Sequence, residues 1–335
     1  MTGPSLLDEV VEVRMRWVSP LVGAWYADDE LRAQLRTAMT VEVDRVGDTE
    51  FGAQFRDALQ PEVEPEALAW ANRRLGLPDG GWAVTGIRFR GRVHTRPFVD
   101  VVATTAPPTP DGLAVVAAAV EQAYPTFGPL CLRVDAPDAP GLVESLMADA
   151  RFGPGCGVDM HVMAGRVKDL REHPRAASYA RVGLRPGEPG PLGRRVGTIY
   201  ADLAGLEPDL ATWAHPEDEE SLAECADEGL LFEVLVDDVP AGVVAAVRED
   251  EHAMRGFSVQ ELCLDPAHRG RGLAPGVVQR LLDELPADTG DVLWGTIHPA
   301  NAPSLRNALS VGRTLVGGYV WVTPAGWAGM PPTTS

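Results

Sequence analysis

The sequence predicts an α+β (mixed α/β) protein built from two domains. Its 335 residues are about twice the ~150 residues usual for one domain, so each half is long enough for its own core. Hydrophobic residues make up 45% and charged residues 23%, as in chains that fold throughout. Strand and helix patterns follow one another in a similar order in both halves, which indicates a duplicated topology without a residue-by-residue repeat.

The first half opens with helices and continues in the order β-β-α-β-α-β. Helical patterns cover residues 6–17, 29–39 and 65–75, and the last of them ends before Gly76. After that, β-branched and aromatic runs predict strands, and apolar runs between turn residues predict helices. The predicted elements are strands at 82–93, 97–105, 130–134 and 158–164, and helices at 111–124, with Asp111 as N-cap, and at 141–150.

A polar passage rich in proline and glycine separates the halves and places the boundary near residues 166–176. The predicted domains are therefore 1–168 and 176–325. The later elements of the second half repeat the order of the first. They are strands at 179–184, 231–237, 242–249, 257–264, 292–297 and 314–322, and helices at 196–204, 217–228, 273–285 and 303–311.

Charge and composition exclude several classes of function. The 48 acidic and 29 basic residues give a formal charge of −19, which disfavours nucleic acid and membrane lipid as partners. Lys168 is the only lysine, which nearly excludes Schiff-base chemistry. Cysteines and histidines lack metal-ligand spacing, so we expect reduced core thiols and no metal. With neither a signal peptide nor a membrane-spanning run, we expect a cytoplasmic protein.

The most informative segment is 259–274, where a strand leads into a glycine-rich turn and then a helix. Unpaired N–H groups at a helix start can bind a phosphate, and the helix dipole favours negative charge there. Gly270 and Gly272 allow close backbone approach, and Arg269 and Arg271 can add charged donors. The segment therefore predicts an anion site; the alternative is a plain turn with arginines for solubility.

This segment resembles the signature of the GNAT superfamily of acyl-CoA-dependent N-acyltransferases. In that signature an arginine or glutamine is followed by two residues, a glycine, one residue, and a glycine or alanine. Arg269, Gly272 and Ala274 fill these positions. Further matches within residues 179–322 are Glu261, Leu262, Leu264 and Pro266 in the lead-in strand, and Asn301, Ser304 and Gly312 after the next strand. The resemblance implies a mostly antiparallel central sheet with flanking helices.

The resemblance also implies a co-substrate, acetyl-CoA or another acyl-CoA. Its pyrophosphate is expected on the amides of Arg269–Ala274, with the pantetheine arm along strand 257–264, which in this family splays away from strand 292–297. An amine then attacks the thioester directly, while a strand amide such as that of Leu262 holds the oxyanion. The expected cofactor-binding residues are Leu262, Cys263, Leu264, Arg269, Gly270, Arg271, Gly272, Leu273, Ala274, Asn301 and Ser304.

Glu261 is the first candidate for the general base. Strand alternation predicts that it shares a face with Val259 and Cys263, and apolar neighbours there would raise its pKa. The alternative is a structural carboxylate paired with Arg269 or another arginine. His298 is a weaker catalytic candidate, because a lone histidine beside a proline is more often a turn residue.

The sequence leaves the general acid open. The family's frequent tyrosine, seven residues after the asparagine, is replaced by Ala308, and the usual phenylalanine after the second glycine is Arg313. Tyr319 or Cys263 could supply the proton instead. The thiolate could also leave without a proton donor, or the protein could have lost acetyl transfer.

The acidic run 215–228 holds seven carboxylates and no basic residue. In the family this helical region commonly lines the acceptor site, where its field would favour a cationic small-molecule amine. A solvated helix face is the alternative. The expected partner is a small-molecule amine rather than nucleic acid or membrane.

The first half is expected to be a degenerate GNAT-like domain. Where a phosphate-binding turn would lie, three positions are prolines and so lack a backbone N–H: Pro107, Pro108 and Pro110. The pair of domains resembles the tandem arrangement of mycothiol synthase; the alternative is an unrelated helical domain. The whole chain is thus expected to be an N-acetyltransferase, with an acyl-CoA-binding regulator, a decarboxylase or an O-acyltransferase as alternatives.

Overall fold

The computed structural model describes residues 4–59, 65–206 and 213–331. They fall into two compact units. Unit 1 runs to His161 and includes Glu251–Ala253 and Val316–Pro331, and unit 2 comprises Val162–Asp250 and Met254–Leu315. These units are interleaved in sequence, whereas the predicted domains 1–168 and 176–325 are contiguous and remain a prediction. The mixed α/β class is confirmed, with mostly antiparallel strands and flanking helices.

Unit 1 packs helices on both faces of its sheet. Its helices are α1 (Leu6–Met15), α2 (Pro20–Gly23), α3 (Asp28–Asp44), α4 (Thr49–Leu59), α5 (Ala67–Trp70), α6 (Pro110–Ala123) and α7 (Ala139–Met147). Its strands are β1 (Arg73–Gly76), β2 (Trp82–Phe89), β3 (Pro97–Thr104), β4 (Leu132–Ala136), the start of β5 (Gly157–Arg166) and the end of β11 (Thr314–Val322). The order is β1-β2-β3-β4-β11, antiparallel except for β3–β4. The main core lies beneath α6 and α7, and α1 covers the other face.

Two predictions for unit 1 were wrong in detail. The predicted helix 65–75 is only the short α5, and the chain then forms β1, which pairs with the edge of β2. Helical propensity is a weak preference, and here the pairing of β1 with β2 overrides it. The N-cap of α6 is Thr109 rather than Asp111; the Thr109 side chain accepts from the Gly112 N–H, and Pro110 fills the first turn.

Unit 2 has the elements predicted for the second half, with most bounds shifted, and it also has a short helix, α8, where the sequence predicted only a polar passage. Its helices are α8 (Val167–Glu172), α9 (Pro189–Leu206), α10 (Glu219–Asp227), α11 (Ala274–Glu284) and α12 (Ala302–Ser310). Its strands are β6 (Val182–Pro186), β7 (Leu231–Val236), β8 (Val239–Arg248), β9 (Gly256–Leu264) and β10 (Val292–Ile297). The order is β10-β9-β8-β7-β6, antiparallel except for β9–β10. Helices α8 and α11 cover one face, and α9 and α10 the other.

A β-bulge in β9 changes which side chains share a face. Ala246 pairs with Val259 while Ala245 pairs with Glu261, so Gln260 is the extra residue. A bulge shifts the alternation of side chains along the strand. Val259 therefore packs on the α11 face, and the prediction that it shares a face with Glu261 was wrong. Cys263 does lie on the α9 face, as predicted.

All four cysteines are buried and unpaired, as predicted for reduced core thiols. Within residues 4–59, 65–206 and 213–331, no group of His, Cys, Asp and Glu side chains is arranged to hold a metal ion. No helix in the same ranges combines the length and apolar character needed to cross a membrane.

Candidate active site

The turn between β9 and α11 is exposed, and its glycines have left-handed backbone conformations. Gly270 has φ +68° and Gly272 has φ +66°, a region that costs other residues roughly 1–2 kcal/mol. A Cβ built on either glycine would meet no protein atom within 4 Å. The glycines thus satisfy the backbone and leave the outer surface of the turn clear for a ligand.

Helix α11 begins at this turn without a side-chain cap. Leu273 stands at the N-cap position, and no described side chain bonds to the N–H groups of the first turn. Pro275 lacks an N–H, and the other first-turn N–H groups have no partner within the helix. Together with the positive end of the helix dipole, they form an arrangement that can bind a phosphate group.

The two arginines of the turn have different environments. The Nε of Arg269 donates to the Leu264 carbonyl oxygen at 2.7 Å, and its Nη2 donates to the Ile199 carbonyl at 3.4 Å. Arg269 therefore ties the turn to the end of β9 and to α9. Arg271 is exposed, with one bond of 3.4 Å from Nη1 to the Ala267 carbonyl. Of the two, Arg271 is better placed to move toward an anion.

Strands β9 and β10 pair over a short length and then diverge. Gly256, Phe257 and Ser258 pair with Val292, Leu293 and Trp294, and no further pair forms along the described strands. The edge of β9 that faces β10 is therefore open from Val259 to Leu264. Backbone N–H and C=O groups on such an edge can bond to an amide-rich ligand. This is the opening that the sequence resemblance implied for the pantetheine arm.

Glu261 is a buried carboxylate on the α9 side of β9. Only 3% of the residue is exposed, and its Oε2 has no hydrogen-bond partner among the described residues. Burial raises the pKa of Glu261 to about 7, and the charge of Glu217 adds to the rise. The N–H of Glu217 and the hydroxyl of Tyr200 partly oppose it by bonding to the carboxylate. The group can thus accept a proton near neutral pH.

Tyr200 is the partner that the sequence did not reveal. It lies on α9 and donates its hydroxyl to Oε1 of Glu261 at 3.2 Å. Burial and the Glu261 charge raise the pKa of Tyr200, so it stays a neutral donor that orients the carboxylate. Arg269 bonds to backbone carbonyls instead, and none of the described arginines pairs with Glu261. The alternative of an arginine-paired structural carboxylate is therefore not supported.

The remaining candidate residues, His298, Asn301 and Ser304, lie between the end of β10 and the first turn of α12. His298 stacks on Trp213, with ring centroids 5.0 Å apart and planes 6° from parallel. Its Nδ1 accepts the Ala300 N–H at 3.2 Å, so the proton of a neutral ring is on Nε2. Asn301 caps α12 by accepting the Ser304 N–H at 3.1 Å. In this structure Asn301 and Ser304 thus bond to each other at the start of α12.

Comparison with known proteins agrees with this geometry. Residues 199–312 match the family model described as the acetyltransferase (GNAT) family. This range of the chain is thus similar to a GNAT acetyltransferase domain. The matched range covers Glu261, the glycine turn and α12, and it supports acyl-CoA-dependent acyl transfer in general.

Solved structures share the fold. A GCN5-related N-acetyltransferase from Sphaerobacter thermophilus aligns over 88% of this chain and 96% of its own, at 14% identity and a TM-score of 0.54. A GNAT-family acetyltransferase from Colwellia psychrerythraea aligns over 73% and 81%, at 12% identity and a TM-score of 0.44. A comparison with curated protein sequences finds no significant match.

Unit 2 has no proton donor at the position of the tyrosine that is frequent in the GNAT family. Ala308 is fully buried there, among Met163, Ile297 and Leu305. Cys263 shares the apolar surroundings of Glu261, and burial raises the pKa of its thiol. A thiol with a raised pKa is protonated at neutral pH, so it could donate but would be a weak acid.

Tyr319, the other donor suggested by the sequence, belongs to unit 1. It stands opposite Asp135 in the pairing of β11 with β4, at a cavity of about 250 Å³. Its hydroxyl donates to Oε1 of Glu251 at 3.1 Å and lies 3.5 Å from Nε2 of His252. Burial and the negative charges of Glu251 and Asp135 raise the pKa of Tyr319. This environment does not favour proton donation by Tyr319.

The corresponding turn of unit 1, Thr104–Gly112, differs from that of unit 2. Three of its residues are prolines without N–H groups. Several of the remaining N–H groups bond within unit 1: Thr105 to the Trp82 carbonyl, Ala106 to the Thr104 hydroxyl, Thr109 to the Pro107 carbonyl and Gly112 to the Thr109 hydroxyl. Few donors thus remain for a phosphate.

Proposed function

We propose that unit 2 is an acyl-CoA-dependent N-acyltransferase that transfers an acyl group, acetyl in the simplest case, to a small-molecule amine. The observation that carries this proposal is the buried carboxylate of Glu261, which has a pKa of about 7. It stands on the strand whose edge opens beside the exposed glycine turn. A base that titrates near neutral pH suits the removal of a proton from an attacking ammonium group.

The proposed mechanism follows from the family and these contacts. The pyrophosphate of coenzyme A binds the N–H groups of the turn and the α11 terminus, and the pantetheine arm lies along the open edge of β9. The amine attacks the thioester carbonyl, its nitrogen bonding to carbon as the carbon–sulfur bond breaks. Glu261, oriented by Tyr200, accepts the amine's proton, and a β9 amide such as that of Leu262 stabilises the oxyanion. The products are an amide and the coenzyme A thiolate, which takes a proton from solvent, while Glu261 returns its own proton to solvent.

The acceptor side of the proposed site is acidic. The charge of Glu217 raises the pKa of Glu261, and burial raises the pKa of Glu217 itself. Asp218 caps α10 by accepting the Ser221 N–H at 2.9 Å, so part of the acidic run stabilises the helix. The carboxylates of 217–228 favour a cationic amine over an anionic acceptor.

We further propose that unit 1 is a degenerate GNAT-like domain, so that the chain is a tandem protein resembling mycothiol synthase in arrangement. The order β2-β3-α6-β4-α7 in unit 1 repeats the order β8-β9-α11-β10-α12 in unit 2, which supports this proposal. The cytoplasm is the expected compartment, consistent with four unpaired cysteines.

Thiol release from acetyl-CoA, measured across a panel of small amines, tests the proposed activity. Release that depends on one class of amine is expected. The alternative is an acyl-CoA-binding regulator. The buried Ala308 favours it, because alanine cannot donate a proton at the position of the family's general acid. Tight binding of acetyl-CoA without amine-dependent release would establish that alternative, and no binding at all would contradict both.

A further inference from the structure

Arg313 is a buried arginine of unit 2, and two of its three guanidinium nitrogens lack a hydrogen-bond partner among the described residues. Only 5% of the residue is exposed, and the two nitrogens are Nε and Nη1. Among the residues that the structure describes, no carboxylate forms an ion pair with it. Other poorly exposed charges do find partners; for example, Arg14 pairs with Asp135, and Asp291 pairs with Arg255.

An unpaired charge at this depth is unfavourable for the free protein. Burial lowers the pKa of Arg313 to about 10, which still leaves it charged at neutral pH. Taking a charge out of water without a counter-ion costs free energy, and a chain usually avoids that cost by pairing the charge or by using an apolar side chain. The uncompensated guanidinium indicates that its counter-ion comes from a ligand.

The position of Arg313 shows where that ligand group would lie. A Cβ built on Gly295 would be 3.4 Å from Nη1 of Arg313 and 3.5 Å from the carbonyl oxygen of Val259. Gly295 and Val259 are the first residues of β10 and β9 beyond the last paired position, Trp294 with Ser258. The guanidinium therefore lies at the closed end of the gap between the strands, in van der Waals reach of a Cβ at residue 295.

We propose that Arg313 binds the terminal carboxylate of a short dicarboxylic acyl group, so that the preferred acyl donor is a thioester such as malonyl-CoA or succinyl-CoA. This inference rests on the proposed function, which places the donor's phosphates at the open end of the gap. The acyl group then projects toward the closed end, where an acetyl methyl would leave Arg313 uncompensated. The carboxylate does not react: the amine still forms the new C–N bond as the thiolate leaves.

Calorimetric titration of the full chain tests the assignment with matched thioesters. Succinyl-CoA is compared with butyryl-CoA, and malonyl-CoA with propionyl-CoA, because each pair differs in charge at nearly constant length. We expect at least one dicarboxylic thioester to bind at least ten times more tightly than the neutral thioester of the same chain length. A tenfold ratio of affinities is equivalent to about 1.4 kcal/mol. Arg313→Met is expected to reduce that ratio below about twofold. Gly272→Val is the control: it should weaken both members alike and keep their ratio.

Three outcomes would overturn the assignment. Equal affinities within both pairs for the wild-type chain would reject the dicarboxylic donor while leaving the proposed function intact. An equal loss for both members in Arg313→Met would assign the guanidinium to the shared pantetheine arm. If Arg313→Met loses affinity for neither thioester and keeps the ratio of their affinities, the carboxylate binds another group. If no coenzyme A thioester binds the wild-type chain, the proposed function itself fails.

A second measurement covers the case in which Arg313→Met does not fold. The thermal midpoint of the wild-type chain is measured with each matched thioester at equal concentration. A larger rise with the dicarboxylic member is expected, because a ligand that binds the native state more tightly stabilises it more. Arg313→Lys, which keeps the charge, is expected to retain part of the difference. Identical rises within both pairs would overturn the proposal without any variant.

Discussion

Replacing Glu261 by glutamine separates a catalytic base from a structural carboxylate. Glutamine has nearly the same shape and can still accept the Tyr200 hydroxyl, but it cannot take a proton from the amine. We expect Glu261→Gln to leave acyl-CoA affinity nearly unchanged and to lower turnover by roughly 10²-fold or more, the usual scale for losing a positioned base.

The same substitution should change stability in a pH-dependent way. Glu261 has an ordinary pKa of 4.5 and a folded-state pKa of about 7, so the native state holds this proton more tightly than the unfolded state. Stability from this group is thus present below the unfolded pKa and lost as pH rises through the folded pKa. The difference corresponds to about 3 kcal/mol, at 1.36 kcal/mol per pKa unit. Glu261→Gln should therefore be the more stable protein near pH 8 and lose this advantage near pH 4.5.

Two assays check this reasoning. Thiol release with the best amine gives the pH profile, in which wild-type kcat/KM should rise through pH 7 and the profile of the variant should lack that limb. Denaturant titration at both pH values gives the stability difference. Glu284→Gln, exposed at the end of α11 remote from the glycine turn, is the control with the same charge change. Near-normal turnover at neutral pH with a pH-independent stability difference would refute the base assignment and make His298 or a water chain the better candidate.

Three further predictions concern the same site. Gly272→Val should weaken coenzyme A binding at least tenfold, about 1.4 kcal/mol, because valine disfavours φ +66° and its side chain would cover the turn; unchanged affinity in a folded variant would move the phosphate site elsewhere. Calorimetry should give one coenzyme A per chain, whereas a second event abolished by changes in Thr104–Gly112 would contradict the degenerate unit. Tyr200→Phe removes a bond that lowers the pKa of Glu261, so the acid limb of kcat/KM should move to higher pH; an unmoved limb would show that the hydroxyl does not tune Glu261.

Local backbone chemistry made much of the later part of the chain predictable. β-branched runs bounded by turn residues predicted β10 and β11 with the bounds observed, because strand propensity and turn residues act over a few neighbours. The glycine turn was also predictable. Gly270 and Gly272 permit left-handed conformations that disfavour other residues, so their spacing before a helix already indicates the backbone that forms.

The sequence by itself therefore determined the class of fold, the glycine turn before α11 and the choice of Glu261 as a titratable group. Tertiary structure decided the rest. The bulge at Gln260 places the Val259 side chain on the opposite face of the sheet from Glu261, and the Tyr200 hydroxyl donates a hydrogen bond to Glu261. Arg313 is buried without a counter-ion. These features depend on contacts between segments far apart in the chain. Local propensity acts over a few residues, whereas burial and charge pairing depend on which distant atoms the folded chain brings together.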